Sequence, residues 1–381
     1  MAGELNNIII GGSAIGLRCG SLLSDSTVFE EHSSIGDPVQ CSGIVTSSIK
    51  DIVELPKKLI INKINRFNIR TDSSQVTIKT NSPNYILDRR LFDQRLHDNA
   101  IRKGCKIQKS HRYISNNLNK IKVLDLKNKK EKFFTYKNLI GADGPFSNVA
   151  KNNFHNTIQK VPAVQYRVRF KGLDRETVTV YPNKGYFAWI IPEDSEICRI
   201  GIISKRANSD FILFKKRFTS SKMKIIENQS GVIPLYNPRI HYQKENIFLV
   251  GDSCAMIKNT TGGGLYHGLK ASNLVADTIN ERSEESDCRT CSCSSGNVKS
   301  YEAKVKSDIT KDLILHYRIR NVLNCFKEKD WNIVVNMLKK ESLKTILERY
   351  DRENPDFVFK MLLAEPRLLY FIKYIFHAFS H

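Results

Sequence analysis

A chain of 381 residues exceeds one ordinary domain, and 41% hydrophobic with 26% charged residues marks it as globular and excludes a disordered chain. Lysine and arginine outnumber aspartate and glutamate 60 to 39, a formal charge of +21 that favours polyanions or an anionic membrane surface as partners. Nucleic acid is not expected, because there is no zinc finger, no basic helix leading into heptads and no aromatic-glycine RNA signature.

Part of the lysine excess reads as compositional bias, as in 116–122, where lysine alternates with asparagine and isoleucine. The first apolar run, Ile8–Ile10, is too short for a secretory signal, so the nine cysteines are expected in a reduced, cytoplasmic setting. No window reaches the roughly 20 apolar residues of a spanning helix, which restricts any membrane contact to a peripheral one at the inner face.

In chain order, the first elements read strand, glycine turn, helix, strand: 7–10, 11–16, 17–23 and 27–30, a βαβ opening. Alternation around a polar turn between Leu59 and Ile86 predicts a hairpin. Leu91, Phe92, Leu96 and Ala100 keep helical spacing over about 90–103, and Gly104 supplies the stop. A strand follows near Cys105, alternation resumes over 120–136, and 138–141 reads as a buried strand returning to the first sheet. From Pro162 to Pro234, β-branched and aromatic runs predict an antiparallel sheet in a second domain. A buried strand at 246–250 and a helix over 262–280 belong again to the first domain. Residues 281–300 are the linker candidate, and 301–381 is mostly helical in pattern.

The turn Gly11-Gly12-Ser13-Ala14-Ile15-Gly16 fits a dinucleotide fingerprint with serine in place of the second glycine. Its first glycine allows the tight turn, its last lets helix and strand approach, and the helix N-terminus offers N–H groups and a positive dipole to a pyrophosphate. Ser13 is small enough for close approach. The fingerprint also needs an acid about 20 residues on, for a ribose hydroxyl. Glu30 lies 19 positions after Gly11, and the neighbouring Glu31 points to the opposite face of a strand.

Two later segments, Gly141-Ala142-Asp143-Gly144 and Gly251-Asp252-Ser253-Cys254, each follow a buried strand, and Asp88-Arg89-Arg90-Leu91-Phe92-Asp93 opens a helix with arginine. Together these resemble the flavin hydroxylase-type FAD enzymes. The stretch Gly36-Asp37-Pro38-Val39-Gln40-Cys41-Ser42-Gly43 sharpens the likeness to the geranylgeranyl reductase family. Two further segments carry it: Phe187-Ala188-Trp189-Ile190-Ile191-Pro192, with isoleucine where the family has phenylalanine, and Asn259-Thr260-Thr261-Gly262-Gly263-Gly264-Leu265, with asparagine where proline is common. The likeness covers about residues 7–275, and the C-terminal region matches it only in being helical.

This resemblance implies an α/β fold: a Rossmann-like FAD-binding domain over 1–55, 86–158 and 240–283, an antiparallel-sheet substrate domain over 56–85 and 159–239, and a polar linker with a helical region over 284–381. It implies FAD as cofactor and saturation of isolated double bonds in prenyl chains, in the archaeal branch those of digeranylgeranyl glycerol lipids. FAD-contact positions are then Gly11, Ser13, Ile15, Gly16, Glu30, Cys41, Ser42, Gly43, Arg89, Tyr113, Asp252, Gly262, Gly263, Gly264 and Leu265. Arg89 is expected to pair with flavin phosphates. Cys41 is the first candidate for the proton donor, with a tyrosine or an ordered water as alternatives. Phe187, Trp189 and Ile191 are candidates for the wall of a dry substrate slot.

The electron donor stays open among ferredoxin, a reduced deazaflavin and NAD(P)H, since no second dinucleotide fingerprint exists. Cys288, Cys291 and Cys293 cluster without an evident fourth ligand and are read as an exposed loop rather than a metal site. The apolar tail 367–379 suits either a membrane interface or the last helix of a core. The same FAD motifs also serve a monooxygenase or epoxidase, and Ser13, Ile191 and Asn259 suit a non-catalytic FAD-binding scaffold.

Overall fold

The computed structural model describes residues 3–218, 223–287, 299–349, 353 and 356–374. The elements in chain order are β1 (Gly3–Ile10), α1 (Ala14–Leu22), β2 (Ser26–Glu30), β3 (Ile44–Val45), β4 (Ile60–Arg70), β5 (Gln75–Leu87) and α2 (Arg89–Arg102). Then come β6 (Lys106–Lys109), β7 (His111–Asn117), β8 (Lys120–Asp125), β9 (Lys130–Gly141), α3 (Asn148–Asn153), β10 (Lys160–Arg169), β11 (Thr177–Tyr181), β12 (Phe187–Pro192) and β13 (Ile197–Ile203). The rest is α4 (Ala207–Lys216), β14 (Lys224–Pro234), β15 (Gln243–Lys244), β16 (Ile247–Leu249), α5 (Leu265–Asp287), α6 (Tyr301–Val305), α7 (Lys311–Asn324), α8 (Glu328–Met337), α9 (Glu341–Arg349) and α10 (Phe357–Ala364).

Two compact units form. The first is Met1–Pro38, Arg89–Gln159 and Pro234–Ile314, and the second is Val39–Asp88, Lys160–Ile233 and Leu315–His381.

The sheet of the first unit runs β15-β16-β9-β1-β2-β6, with β8 continuing from β9 and β7 from β8. β1 pairs in parallel with β2 and β9, and β9 with β16. A central parallel strand is covered on both faces, so its apolar residues run on without alternation. Ile8, Ile9 and Ile10 of β1 are all buried, as are Leu139 and Ile140 of β9 and Phe248 and Leu249 of β16. α1 packs against α2 and α5, whose Leu269, Ala271 and Val275 face inward.

The second sheet runs β14-β10-β13-β12-β11-β4-β5-β3. It is not purely antiparallel as the sequence suggests: β11 joins β4 in parallel, Thr177 opposite Arg66 through Val180 opposite Ile69. The hairpin β4–β5 and the meander beginning at β11 come from separate stretches of chain, so no short turn constrains this junction to be antiparallel. One face of β10–β13 packs Val164, Val168, Tyr181, Ala188, Ile190, Cys198, Ile200 and Ile202 under Phe211 and Phe214 of α4.

The unit boundaries depart from the expected ones for identifiable reasons. β3 pairs with the end of β5, Ile44 opposite Ile86, which ties residues after Pro38 to the second sheet. The Tyr301 hydroxyl donates to the Leu249 carbonyl at 2.9 Å and its ring meets Phe248, which holds α6 in the first unit. The remaining C-terminal helices form no unit of their own. Val335, Leu338, Leu343, Leu368 and Phe371 pack on Val76 and Ile78 of β5. Leu368 and Phe371 therefore serve a core, while Leu369 and Tyr370 between them are exposed. Residues 375–379 of the apolar tail, like Cys288, Cys291 and Cys293, lie outside the described residues. No helix among the described residues is long and apolar enough to cross a membrane.

Candidate cofactor and substrate sites

β1 ends at Ile10 and the chain must reverse into α1 within three residues. Gly11 does this with φ +104°, and a Cβ there would lie 2.3 Å from the Ala142 carbonyl oxygen. A Cβ on Gly16 would lie 1.9 Å from the Gly11 carbonyl oxygen, so the last glycine of the fingerprint lets the helix close on its own turn. Ser13 caps α1, is exposed, and makes no side-chain capping bond. The N–H groups of the first turn are thus not taken up by their own N-cap side chain. Serine in the second glycine position leaves the turn intact.

Glu30, at the end of β2, turns back to this loop. Its Oε2 accepts from the Gly12 N–H at 2.6 Å, and its Oε1 accepts from the His32 backbone N–H at 2.8 Å and lies 2.6 Å from His32 Nδ1. Glu31 points away and pairs with Arg112 at 2.7 Å. The acid facing the glycine turn is the one expected; its bond to His32 is not visible in the sequence.

The other wall comes from 251–265. Gly262, at φ +69°, lies in a tight loop where Lys258 N–H donates to the Gly263 carbonyl at 3.0 Å and Gly262 N–H to the Lys258 carbonyl at 2.8 Å. A Cβ on Gly264 would sit 2.8 Å from Ile257 and 3.2 Å from Asp252 Oδ1. Leu265 then opens α5. Ile15 fits where neither Gly251 nor Gly268 tolerates a Cβ, at 2.6 and 2.3 Å from its Cδ1. The Ser272 hydroxyl donates to the Ile15 carbonyl at 3.1 Å. The first turns of α1 and α5 therefore meet, and two positive helix ends converge.

Burial pushes the Asp252 carboxyl up to about 6, against the opposing pull of the Arg89 cation. Below the usual carboxylate value both folded and unfolded chains hold this proton. As pH rises from there through about 6, only the folded chain still holds it, so stability declines through that window and is flat above it. In the cofactor-free protein, urea unfolding between these pH values should show a decline from this group of at most about 3 kcal/mol, less what solvent screening of the half-buried Asp252 removes. Asp252→Asn should remove that decline; an unchanged profile would exclude the burial of this carboxyl.

Several expected residues are occupied by protein partners. Arg89 lies in a bidentate pair with Asp93 at 3.0 and 3.2 Å. Tyr113 is buried, its hydroxyl bonded to Asn116 and pushed up to about 12 by burial. Asp143 accepts from the Ser147 hydroxyl at 2.5 Å and the Asn148 N–H at 2.8 Å, fixing the start of α3. Asn259, where proline is common, grips Tyr236 twice, accepting from its N–H at 2.8 Å and donating to its carbonyl at 3.0 Å.

In the second unit, Cys41 is half-buried and its Sγ accepts from the Gly43 N–H at 3.3 Å. Gly43 has φ +70° and its carbonyl accepts from the Leu87 N–H at 2.9 Å. The Ser42 carbonyl accepts from Arg199 Nη1 at 2.6 Å. Phe187, Trp189 and Ile191 alternate along β12 on the face opposite Ala188 and Ile190, which serve the core under α4. Trp189 Nε1 donates to Gln165 at 2.9 Å, and a Cβ on Gly201 would lie 2.3 Å from the indole. Arg320 is buried over the rings of Tyr186 and Phe187, at 5.4 and 6.0 Å, and donates to the Tyr186 carbonyl at 3.2 Å.

An ion triad beside Ile191, in which Glu193 and Arg199 are buried and Arg167 is half-buried, is not evident from the sequence. Glu193 takes Arg199 Nε on one oxygen at 2.7 Å and Arg167 on the other at 2.8 Å. Burial alone would raise the Glu193 carboxyl, but the two guanidinium groups outweigh it and hold it below its usual value. The available signal is Arg199 standing alone in the apolar strand Ile197–Ile203. Glu193→Ala would leave a buried arginine without its carboxylate, and thermal or urea unfolding should show a loss of about 3–5 kcal/mol. A loss under about 1 kcal/mol would make the triad a surface-grade contact.

No protein-family model matches the chain. An uncharacterized protein of Methanocaldococcus jannaschii is 25% identical over 363 residues, 90% of each chain. A digeranylgeranylglycerophospholipid reductase of Methanocella arvoryzae is 23% identical over 373 residues, 89% of this chain and 92% of that one. Among solved structures, a geranylgeranyl bacteriochlorophyll reductase-like protein of Thermoplasma acidophilum superposes with a TM-score of 0.83 at 17% identity, covering 98% of this chain and 100% of that one. The flavin-dependent halogenase CmlS gives 0.68 at 14% identity over 98% of this chain and 78% of that one. The chain has the flavin hydroxylase-type fold. Its resemblance to the digeranylgeranylglycerophospholipid reductases is not confined to residues 7–275, since the alignment with the Methanocella arvoryzae protein covers 89% of the chain and so takes in C-terminal helices as well.

Proposed function

We propose that the chain is an FAD-dependent reductase that saturates isolated double bonds in the geranylgeranyl chains of archaeal-type membrane lipids. The supporting observation is the convergence, in one unit, of the Gly11–Gly16 turn, Glu30 and the Gly251–Leu265 segment at two helix N-termini. Glycines that admit no Cβ, uncapped first-turn N–H groups and an inward-turned acid form a cradle that fits a dinucleotide.

In this reading Gly11, Ser13, Ile15 and Gly16 hold the pyrophosphate and Glu30 the adenosine ribose. Asp252, Gly262, Gly263, Gly264 and Leu265 hold the flavin side, with Arg89 and Tyr113 in support. Bound and reduced, FAD supplies the hydride that an alkene without a neighbouring carbonyl requires. Cys41 gives the proton as a neutral thiol, with Ser42 and Gly43 fixing its loop. Phe187, Trp189 and Ile191 exclude water from the alkene. In this reading the enzyme works peripherally at an anionic membrane surface on the cytoplasmic side, a setting that a lipid substrate and the charge of +21 support.

Anaerobic mixing of dithionite-reduced protein with a digeranylgeranyl phospholipid tests this directly. The flavin band is expected to return without oxygen as lipid is consumed. A flavin that reoxidises only on admission of air would assign the site to oxygen chemistry, and one that no donor reduces would leave a scaffold.

A further inference from the structure

The Cys41 loop is not held by its own turn alone. Arg199 reaches from the middle of β13 to the Ser42 carbonyl at 2.6 Å, while its Nε is fixed by Glu193 at 2.7 Å. Its side chain is 7% exposed and that of Glu193 is 2% exposed, so the contact is shielded from competing water. Gly43 has to be glycine for this contact, because a Cβ there would lie 2.7 Å from Arg199 Nη1 and its φ is +70°. Arg167, a third exposed, binds the second oxygen of Glu193 from the rim of the cluster.

We infer that Arg199 is a positioning residue for the reaction: through the Ser42 carbonyl it locks the loop that presents Cys41, and Glu193 and Arg167 keep its guanidinium aimed. This rests on the reading that Cys41 works in the reaction, but the clamp itself does not. A buried charge-assisted bond to a carbonyl is lost if the donor is shortened or cannot bond Glu193 and Ser42 together. Lysine's three donors share one nitrogen where arginine spreads its donors over a rigid fork, so Arg199→Lys keeps charge for Glu193 while giving up the Ser42 bond.

The experiment uses the full-length FAD-loaded protein and reads two quantities: alkylation of Cys41 by a neutral maleimide at fixed pH, followed by peptide mass spectrometry, and turnover on a digeranylgeranyl phospholipid. With R199K, alkylation of Cys41 is expected to rise severalfold as the loop opens. Turnover is expected to fall on the order of a hundredfold in kcat, with KM and FAD content unchanged. Faster alkylation with normal turnover would leave the clamp as a structural contact, overturn the role of Arg199 in the reaction and remove Cys41 from the chemistry. Alkylation at the wild-type rate, with or without a change in turnover, would overturn the clamp. Should R199K not fold, Gly43→Ala strains the same contact from the loop side. It must show the same rise in alkylation, and a wild-type rate there also overturns the inference.

Discussion

Gly16→Val is expected to yield a colourless protein. The missing Cβ of Gly16 would fall 1.9 Å from the Gly11 carbonyl oxygen and 3.3 Å from the Ala142 Cβ, so a branched side chain must push α1 off the turn. The displacement reaches the cofactor cradle from both sides, because Ile15 on the same turn fills the space between Gly251 and Gly268. Overpacking of this kind costs about 1–3 kcal/mol of stability, and separation of the two helix N-termini removes the donors a pyrophosphate needs. FAD affinity should drop a hundredfold or more, on the order of 3 kcal/mol. The ratio of flavin to protein absorbance measures this, and circular dichroism shows whether the fold persists. Ser13→Gly is the control: in the proposed cradle Ser13 serves through its backbone N–H, and its side chain is exposed and makes no capping bond, so flavin content should stay at the wild-type level. A yellow Gly16→Val protein would move the cofactor away from this turn.

Cys41→Ala carries the larger expected effect on turnover. The thiol is half-buried and anchored by the Gly43 N–H, and its loop is pinned at Ser42 and Gly43. On the proposed reading alanine removes the proton source and, with it, the Gly43 N–H bond to Sγ, while the bonds to the Ser42 and Gly43 carbonyls remain, so flavin content and flavin reduction by an artificial donor should be unaltered. Alkene reduction should fall by about 10²–10⁴, the usual contribution of a positioned general acid. Cys41→Ser, which keeps a donor of much weaker acidity, should lie between the two. Near-normal turnover in Cys41→Ala would shift the proton to a tyrosine or water and leave the cysteine a packing role.

Most of the first unit is legible in the sequence because its elements are local. A buried apolar run, a glycine turn and an acid at the end of the next strand lie within thirty residues, and parallel strands covered on both faces announce themselves as continuous isoleucine and leucine. The choice of Glu30 over Glu31 follows from strand alternation alone, and the structure sends the first to Gly12 and the second to Arg112. What escapes is long-range. Nothing local pairs Arg199 with Glu193 and Ser42, since a charge in a strand reads equally well as solvent-facing until the sheet order is known. The parallel junction of β4 with β11 and the seating of Leu368 and Phe371 on β5 depend on contacts between segments about a hundred or more residues apart. Asn259 looks like a departure from a pattern, yet two hydrogen bonds to Tyr236 give it its own reason to be there.

The central claim, hydride delivery to an isolated alkene, is tested most directly on the product. Purified protein with FAD and dithionite is incubated without oxygen with a digeranylgeranyl phospholipid, and the lipid is analysed by mass spectrometry. The prediction is a ladder of products each gaining two hydrogens per double bond, absent from the Gly16→Val control. Recovery of unchanged lipid from fully reduced holoprotein, or a product that gains oxygen only when air is present, would contradict it.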